Sequence, residues 1–199
     1  MELVLATSNL HKVREFREML DPIKNLDILS LIDFPDYEPP EETGKTFEDN
    51  ALIKAMHACQ EFNKCVIADD SGLVVPSLGN EPGVYSARYA GENCSDSDNR
   101  NKLLKALDGK EGAERMAYFE CCIVMVQPDK QAKSVSAICE GSIISKEQGG
   151  NGFGYDPLFL KDGYTKTFAE LTEATKNRIS HRRKAFDKFL LLLEPLLKN

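Results

Sequence analysis

Short apolar runs and helically spaced apolar residues take turns along the first third of this chain, and that alternation restricts its fold more than any other feature. Leu3-Val4-Leu5-Ala6 has the character of a buried strand. After the loop Thr7-Ser8-Asn9, the segment Lys12 to Leu20 places Val13, Phe16 and Leu20 on one helical face. Asp27 to Leu31 is a second short strand, and the proline-rich stretch Pro35 to Pro40 is a connection. Thr46-Phe47-Glu48-Asp49 has the form of a capping box and opens a helix running to about Phe62. In that helix Phe47, Ala51, Ala55, Met56 and Cys59 can face a core, while Asn50, Lys54 and His57 share another side. Cys65 to Ala68 reads as a buried strand that stops at Asp69-Asp70. Ser97 to Leu107 is helical, and Asp108-Gly109 ends it. Tyr118 to Gln127 and Lys133 to Ile143 form an antiparallel pair around the turn Pro128-Asp129, a glycine-rich loop spans Gly149 to Gly154, and a last helix begins near Ser180. Strands alternating with helices early and hairpins later predict an α/β protein built on a mixed sheet.

A chain of 199 residues fits one domain, or one domain with two lobes. Its start, Met1-Glu2-Leu3-Val4-Leu5-Ala6, lacks the basic segment and long apolar stretch of a secretory signal. The apolar run Phe189 to Leu193 is too short to span a bilayer, and Pro195 breaks the apolar pattern just after it. The expectation is a cytoplasmic protein with no membrane partner. A formal net charge of −7 argues against broad nucleic-acid binding but leaves room for a small polyanion held by local Lys and Arg residues, by a metal, or by both. The six cysteines form no C-x-x-C pair and the three histidines stand far apart, so a zinc site is not expected and the thiols read as buried and reduced.

Four clusters carry residue types suited to chemistry. In Thr7-Ser8-Asn9-Leu10-His11-Lys12, a strand-to-helix turn, backbone N–H groups, the helix dipole and Lys12 can together hold phosphate oxygens; without glycines it is no Walker A loop. Glu41-Glu42, Lys54 and Asp69-Asp70 supply carboxylates for Mg²⁺, a group to orient or deprotonate water, and a lysine to neutralise phosphate charge. The same Asp-Asp-Ser-Gly, taken alone, also suits a solvated acidic turn. In Gly149-Gly150-Asn151-Gly152-Phe153-Gly154-Tyr155-Asp156-Pro157 the glycines permit close backbone approach, Phe153 or Tyr155 can stack on a base, and Asp156 can accept a hydrogen bond from a ring N–H. The spacing is not that of a dinucleotide fingerprint. In Lys176-Asn177-Arg178-Ile179-Ser180-His181-Arg182-Arg183, Ser180 can cap the last helix. That puts basic residues against the positive end of the helix dipole, an arrangement favoured where an anion or acceptor ligand offsets it.

Together these clusters resemble the inosine/xanthosine triphosphate pyrophosphatase family (Ham1-like, or RdgB-like, proteins), and the resemblance runs through the chain in order. Its motifs are Leu5-Ala6-Thr7-Ser8-Asn9 through Lys12, Arg14 and Glu15; Glu42-Thr43-Gly44-Lys45-Thr46-Phe47 with Asn50-Ala51 and Lys54-Ala55; and Ala68-Asp69-Asp70-Ser71-Gly72-Leu73. Pro82-Gly83-Val84-Tyr85-Ser86-Ala87-Arg88-Tyr89, Gly152-Phe153-Gly154-Tyr155-Asp156-Pro157 and Ser180-His181-Arg182 complete the set. The resemblance implies an elongated mixed sheet flanked by helices, with two lobes around a central nucleotide cleft and residues 1–199 forming one such two-lobed domain, usually in a homodimer. It implies Mg²⁺-dependent hydrolysis of ITP, dITP or XTP to the monophosphate and pyrophosphate. By carry-over, Asp70 is proton acceptor and metal ligand, Glu42 is a second acid at the metal, and Thr7 to Lys12 with Ser71 hold the triphosphate. Phe153, Gly154, Tyr155 and Asp156, with Lys176, His181 and Arg182, hold the rest of the nucleotide, mainly its base. Two departures touch the opening motif, where His11 and Ser8 stand at positions at which many relatives carry glycine, and the Glu41-Glu42 doublet leaves the metal ligand open by one residue. The alternatives are a Maf-like pyrophosphatase acting on pyrimidine or modified nucleotides and a nucleotide-binding regulator without hydrolysis.

Overall fold

β1 (Glu2–Leu5) lies between β2 (Asp27–Ser30) and β3 (Cys65–Val74) and runs parallel to both, Leu3 pairing with Ile28 on one side and Cys65 on the other. The computed structural model describes residues 1–197. β4 (Met116–Val126), β5 (Lys133–Ile143) and β6 (Phe159–Lys161) follow β3 in one six-stranded sheet of order β2-β1-β3-β4-β5-β6. β6 is antiparallel to β5, so the sheet is mixed, as the alternation of apolar patterns predicts. Five α-helices accompany it among the described residues: α1 (Leu10–Leu20), α2 (Phe47–Phe62), α3 (Asp96–Ala106), α4 (Glu173–Ile179) and α5 (His181–Leu197). No helix among the described residues is long and apolar enough to cross a membrane.

Local chemistry sets the helix starts. Asn9 Oδ1 accepts from the N–H groups of His11 (3.0 Å) and Lys12 (3.2 Å), which ends the loop after β1 and begins α1. The expected box at α2 forms: Thr46 Oγ1 accepts from Asp49 N, and Asp49 Oδ2 accepts from Thr46 N, each at 3.1 Å. Asn63, with φ of 49°, closes α2 in the left-handed region.

The chain folds as two compact units. The first comprises Met1–Asp70, Cys121–Ala137 and the chain from Arg182 onward; the second comprises Ser71–Glu120 and Ile138–His181. In the first unit Leu3, Leu5, Ile67, Cys121, Ile123 and Met125 from the strands pack with Phe16 of α1 and Phe186 and Phe189 of α5. Phe16 and Phe186 meet edge to face at 6.4 Å. In the second unit Leu73, Leu103, Phe119, Tyr155, Phe159 and Phe168 are the centre of a separate core.

Several expectations need correction. β3 does not stop at Asp69-Asp70 but carries both aspartates in its interior and continues to Val74. A strand tolerates two buried acids when each finds cations on its own face. Met56 is exposed rather than core-facing, because Ala51, Ala55 and Ala58 centre the buried stripe of α2 and Met56 lies to its side. α5 runs through Pro195 to Leu197; the carbonyl that loses its bond belongs to the exposed Leu191, where water can replace it. α4 and β6 are too short for apolar periodicity to reveal, and the sequence reading has neither.

Candidate active site

The pleat of β3 separates two adjacent carboxylates. Successive side chains in a strand point to opposite faces, so Asp69 and Asp70 meet different helices. Asp69 turns to the side of α1 and α5: its Oδ2 lies 2.9 Å from Lys12 Nζ and 3.2 Å from Arg182 Nη2. Arg182 also pairs through Nη1 with Glu15 of α1. Glu15, Asp69, Lys12 and Arg182 form a buried or nearly buried quartet of two acids and two bases, formally neutral. Burial alone would raise the Asp69 pKa, but Lys12, Arg182 and Lys54 outweigh it and hold the carboxyl well below its ordinary range. At neutral pH Asp69 is held as the carboxylate.

Asp70 turns to α2. Its Oδ2 accepts from Asn50 Nδ2 at 3.2 Å, and its Oδ1 lies 3.4 Å from Lys54 Nζ, which also reaches Glu42 Oε1 at 3.0 Å. Burial is the largest influence on Asp70 and wins against Lys54 and Lys12, leaving its pKa above that of a free aspartate. Lys54 shows the reverse balance: burial pulls its pKa down, and Asp70, Glu42 and Asp69 together raise it, so it stays charged. Two neighbouring carboxyls whose pKa values are pushed apart are the usual mark of divided roles.

Asn50 is fully buried, and its amide orientation follows from its partners: Oδ1 accepts from Gly44 N at 2.8 Å, which turns the Nδ2 donor to Asp70. The loop carrying Glu42 is thereby tied to the carboxylate of β3. Of the doublet, Glu42 enters the cluster while Glu41 is exposed.

Glu42, Asp70 and Lys54 carry one net negative charge beside the neutral quartet. Among the described residues no group of three or more His, Cys, Asp or Glu side chains is gathered to hold a metal by itself. Two carboxylates whose charge is only half balanced by one ammonium suit an ion that takes its remaining oxygens from water and substrate, the habit of Mg²⁺. The donor set fits that cation.

The opening turn stands at the surface, with Ser8, Asn9, Leu10 and His11 exposed and Thr7 half-buried, its Oγ1 accepting from Asn9 N at 3.2 Å. Its backbone is accessible to a ligand, and Lys12 at its end links it to Asp69. Ser71, half-buried, follows Asp70 in β3.

In the second unit, Gly149, Gly152 and Gly154 all have positive φ, and a Cβ on Gly152 would run into the Asp156 carboxylate. Asp156 is buried; its Oδ2 accepts from Phe153 N at 3.0 Å and pairs with Lys176 Nζ at 2.5 Å. The Lys176 ammonium lies 4.5 Å from the centre of the half-buried Phe153 ring. His181 is buried with its ring stacked on Phe119, centroids 4.8 Å apart and planes 13° from parallel.

One sequence expectation changes here. Tyr155 is no stacking platform: it is buried, its hydroxyl donates to Ser86 O at 3.0 Å, and burial drives its pKa far up. Phe153 keeps that role. The Arg182 side chain is buried, and each of its three nitrogens donates to Asp69 or Glu15. It sits in the quartet of the first unit, while His181, one residue earlier, belongs to the second. Sequence reasoning gives no role to Asn50 or Glu15; the available signal is helical spacing, Asn50 four residues before Lys54 and Glu15 three after Lys12.

Comparison with known proteins gives the family. The Ham1 family model matches residues 3–191. A dITP/XTP pyrophosphatase of Protochlamydia amoebophila is 53% identical over 199 residues, covering 98% of this chain and 99% of that protein. One from Chlamydia trachomatis serovar D is 46% identical over 200 residues, covering 100% and 96%. Among solved structures, the Staphylococcus aureus Ham1 protein aligns with a TM-score of 0.87 at 42% identity, covering 98% of this chain and 99% of that one. A HAM1 protein from Coxiella burnetii aligns at 0.89 with 38% identity and the same coverage.

Proposed function

The chain belongs to the Ham1 family, and from that premise we propose that it hydrolyses ITP, dITP and XTP to the nucleoside monophosphate and pyrophosphate, clearing these purines from the nucleotide pool. The observation that carries this reading is the meeting of Glu42, Asp70 and Lys54: Lys54 Nζ stands 3.0 Å from one carboxylate and 3.4 Å from the other. Had these residues faced different surfaces, no hydrolytic site would exist in the first unit.

Each residue then has a task. Mg²⁺ would be held by Glu42 and Asp70 together with phosphate oxygens, and would draw negative charge from the phosphoryl group. Asp70, with its raised pKa, accepts a proton from water as that water's oxygen attacks the α-phosphorus; the bond from the α-phosphorus to the bridging oxygen breaks and pyrophosphate leaves. Asn50 fixes the acceptor oxygen during this transfer. Lys54 and Lys12 offset charge on the departing group, and the backbone of Thr7 to Lys12, with Ser71, binds the phosphate chain.

For the base, Phe153 supplies a flat apolar face, and Lys176 and His181 supply donors. Hypoxanthine and xanthine present an acceptor oxygen at position 6, whereas adenine presents a donor amino group. A site made of donors therefore rejects adenine by roughly 10⁴-fold. Arg182 acts as a positioning group through Asp69 and Glu15. We further propose that the protein works in the cytoplasm as a homodimer.

The test is a panel of ITP, dITP, XTP, GTP, ATP, UTP and dTTP with Mg²⁺, resolving pyrophosphate from orthophosphate. Pyrophosphate from ITP, dITP and XTP, with ATP turned over about 10⁴-fold less efficiently, is the expected result. Preference for UTP or dTTP, or release of orthophosphate, would count against the reading.

A further inference from the structure

Segment 149–156 is conformationally loose by composition, with φ of 83°, 75° and 59° at Gly149, Gly152 and Gly154. Phe153 within it can serve as a base platform only if something holds the loop still. Part of the restraint is local: the N–H groups of Gly150 and Asn151 both donate to Ala169 O, and Asp156 holds Phe153 N. The rest comes from α3. Asp96 Oδ2 accepts from Gly154 N at 2.7 Å, and Arg100, one helical turn later, donates from Nη1 to Gly154 O at 2.8 Å. Both backbone polar groups of one glycine are thus taken by one face of one helix.

The grip is itself anchored. Arg100 Nε donates to Glu147 Oε1 at 2.8 Å, on the chain just ahead of the loop. α3 begins with a reciprocal Ser95–Asp98 cap, and its buried Asn99 accepts from Ala90 N and donates to Ala87 O. An acid in the first turn of a helix is favoured by the dipole alone, but the dipole gives no reason for Asp96 to meet Gly154, nor for Arg100 to take the opposite group of the same residue.

We propose that Asp96 and Arg100 are positioning residues for nucleobase binding, gripping Gly154 and so setting Phe153 and the Asp156–Lys176 pair beside it. The inference rests on the reading that Phe153 and its neighbours contact the base. Neither residue takes part in phosphoryl chemistry, so loosening the loop weakens binding and leaves the chemical step intact.

Steady-state kinetics on ITP with the full-length protein test this. Asp96→Ala and Arg100→Ala each raise KM about tenfold, with kcat within about twofold of wild type, the pattern of lost binding that is equal in ground and transition states. The double variant raises KM by much less than the product of the single effects, because both side chains fix the same residue. Asp96→Asn, which keeps an acceptor oxygen for Gly154 N, recovers most of the loss. Either single variant suffices if the other does not fold, as melting curves will tell. Wild-type KM in a folded variant, or a fall in kcat at unchanged KM, overturns the proposal. Phe153→Ala separates the two claims: if it leaves the KM for ITP unchanged, the base-contact reading itself fails. If it raises KM while both α3 variants keep the wild-type value, only the positioning role is wrong.

Discussion

Asp69 and Asp70 are identical in type and adjacent in the chain, and the strand pleat gives them opposite physics. Asp69 faces two cations and stays ionised; Asp70 is desolvated and holds its proton more readily. Their linkage to stability differs in sign. For Asp69, the folded pKa is depressed, so its contribution is present above the ordinary value of 3.8 and is lost as pH falls through the lower folded value. For Asp70, the folded pKa is raised, so its contribution is present below 3.8 and is lost as pH rises through the higher folded value. Asp70→Asn is therefore expected to abolish most turnover, by about 10²–10⁴-fold. In chelator it melts at or above the wild-type temperature at neutral pH, and that difference shrinks below pH 3.8. Asp69→Asn leaves Lys12 and Arg182 facing a lost anion and should cost about 3–5 kcal/mol of stability by urea titration. Equal stability changes in the two variants would contradict the division of roles.

At the scale of elements, Gly44 links loop to helix. A Cβ there would meet Asp49 Cβ at 2.5 Å and Asn50 Oδ1 at 2.6 Å. Gly44→Ala is expected to displace the loop that carries Glu42 and the amide that holds Asp70, lowering kcat about tenfold and stability by about 1–3 kcal/mol. Unchanged activity and melting would show that Gly44 does not tie this loop to α2. Much at this scale is legible in the sequence. The capping box at Thr46 and the span of α2 follow from side-chain chemistry within four residues, and Lys133–Ile143 follows from its apolar alternation. The length of β3 is not legible, because an Asp-Asp pair ends a strand unless distant residues neutralise it, and Lys12 and Arg182 lie 57 and 113 positions away in sequence. The same distance hides the partners of Arg182: its basic character is visible, but not its pairing with Glu15 and Asp69. Phe153 and Tyr155 look interchangeable, and only the core around Ser86 tells them apart.

For the molecule as a whole, a net charge of −7 and a polyanionic substrate are reconciled by placing charges locally. The quartet around Asp69 is neutral, and the Glu42–Asp70–Lys54 group is left one charge short of balance, a deficit that a divalent cation turns into an excess. Chelation is expected to stop turnover without altering the far-UV circular dichroism, since Lys54 already bridges the two acids; a chelated protein that loses helix signal would mean that the metal holds the fold. The account stands most directly on where water attacks. Turnover of ITP in water labelled with heavy oxygen should place the label in the monophosphate and leave pyrophosphate unlabelled. Label in the pyrophosphate, or in released orthophosphate, would contradict attack of water on the α-phosphorus.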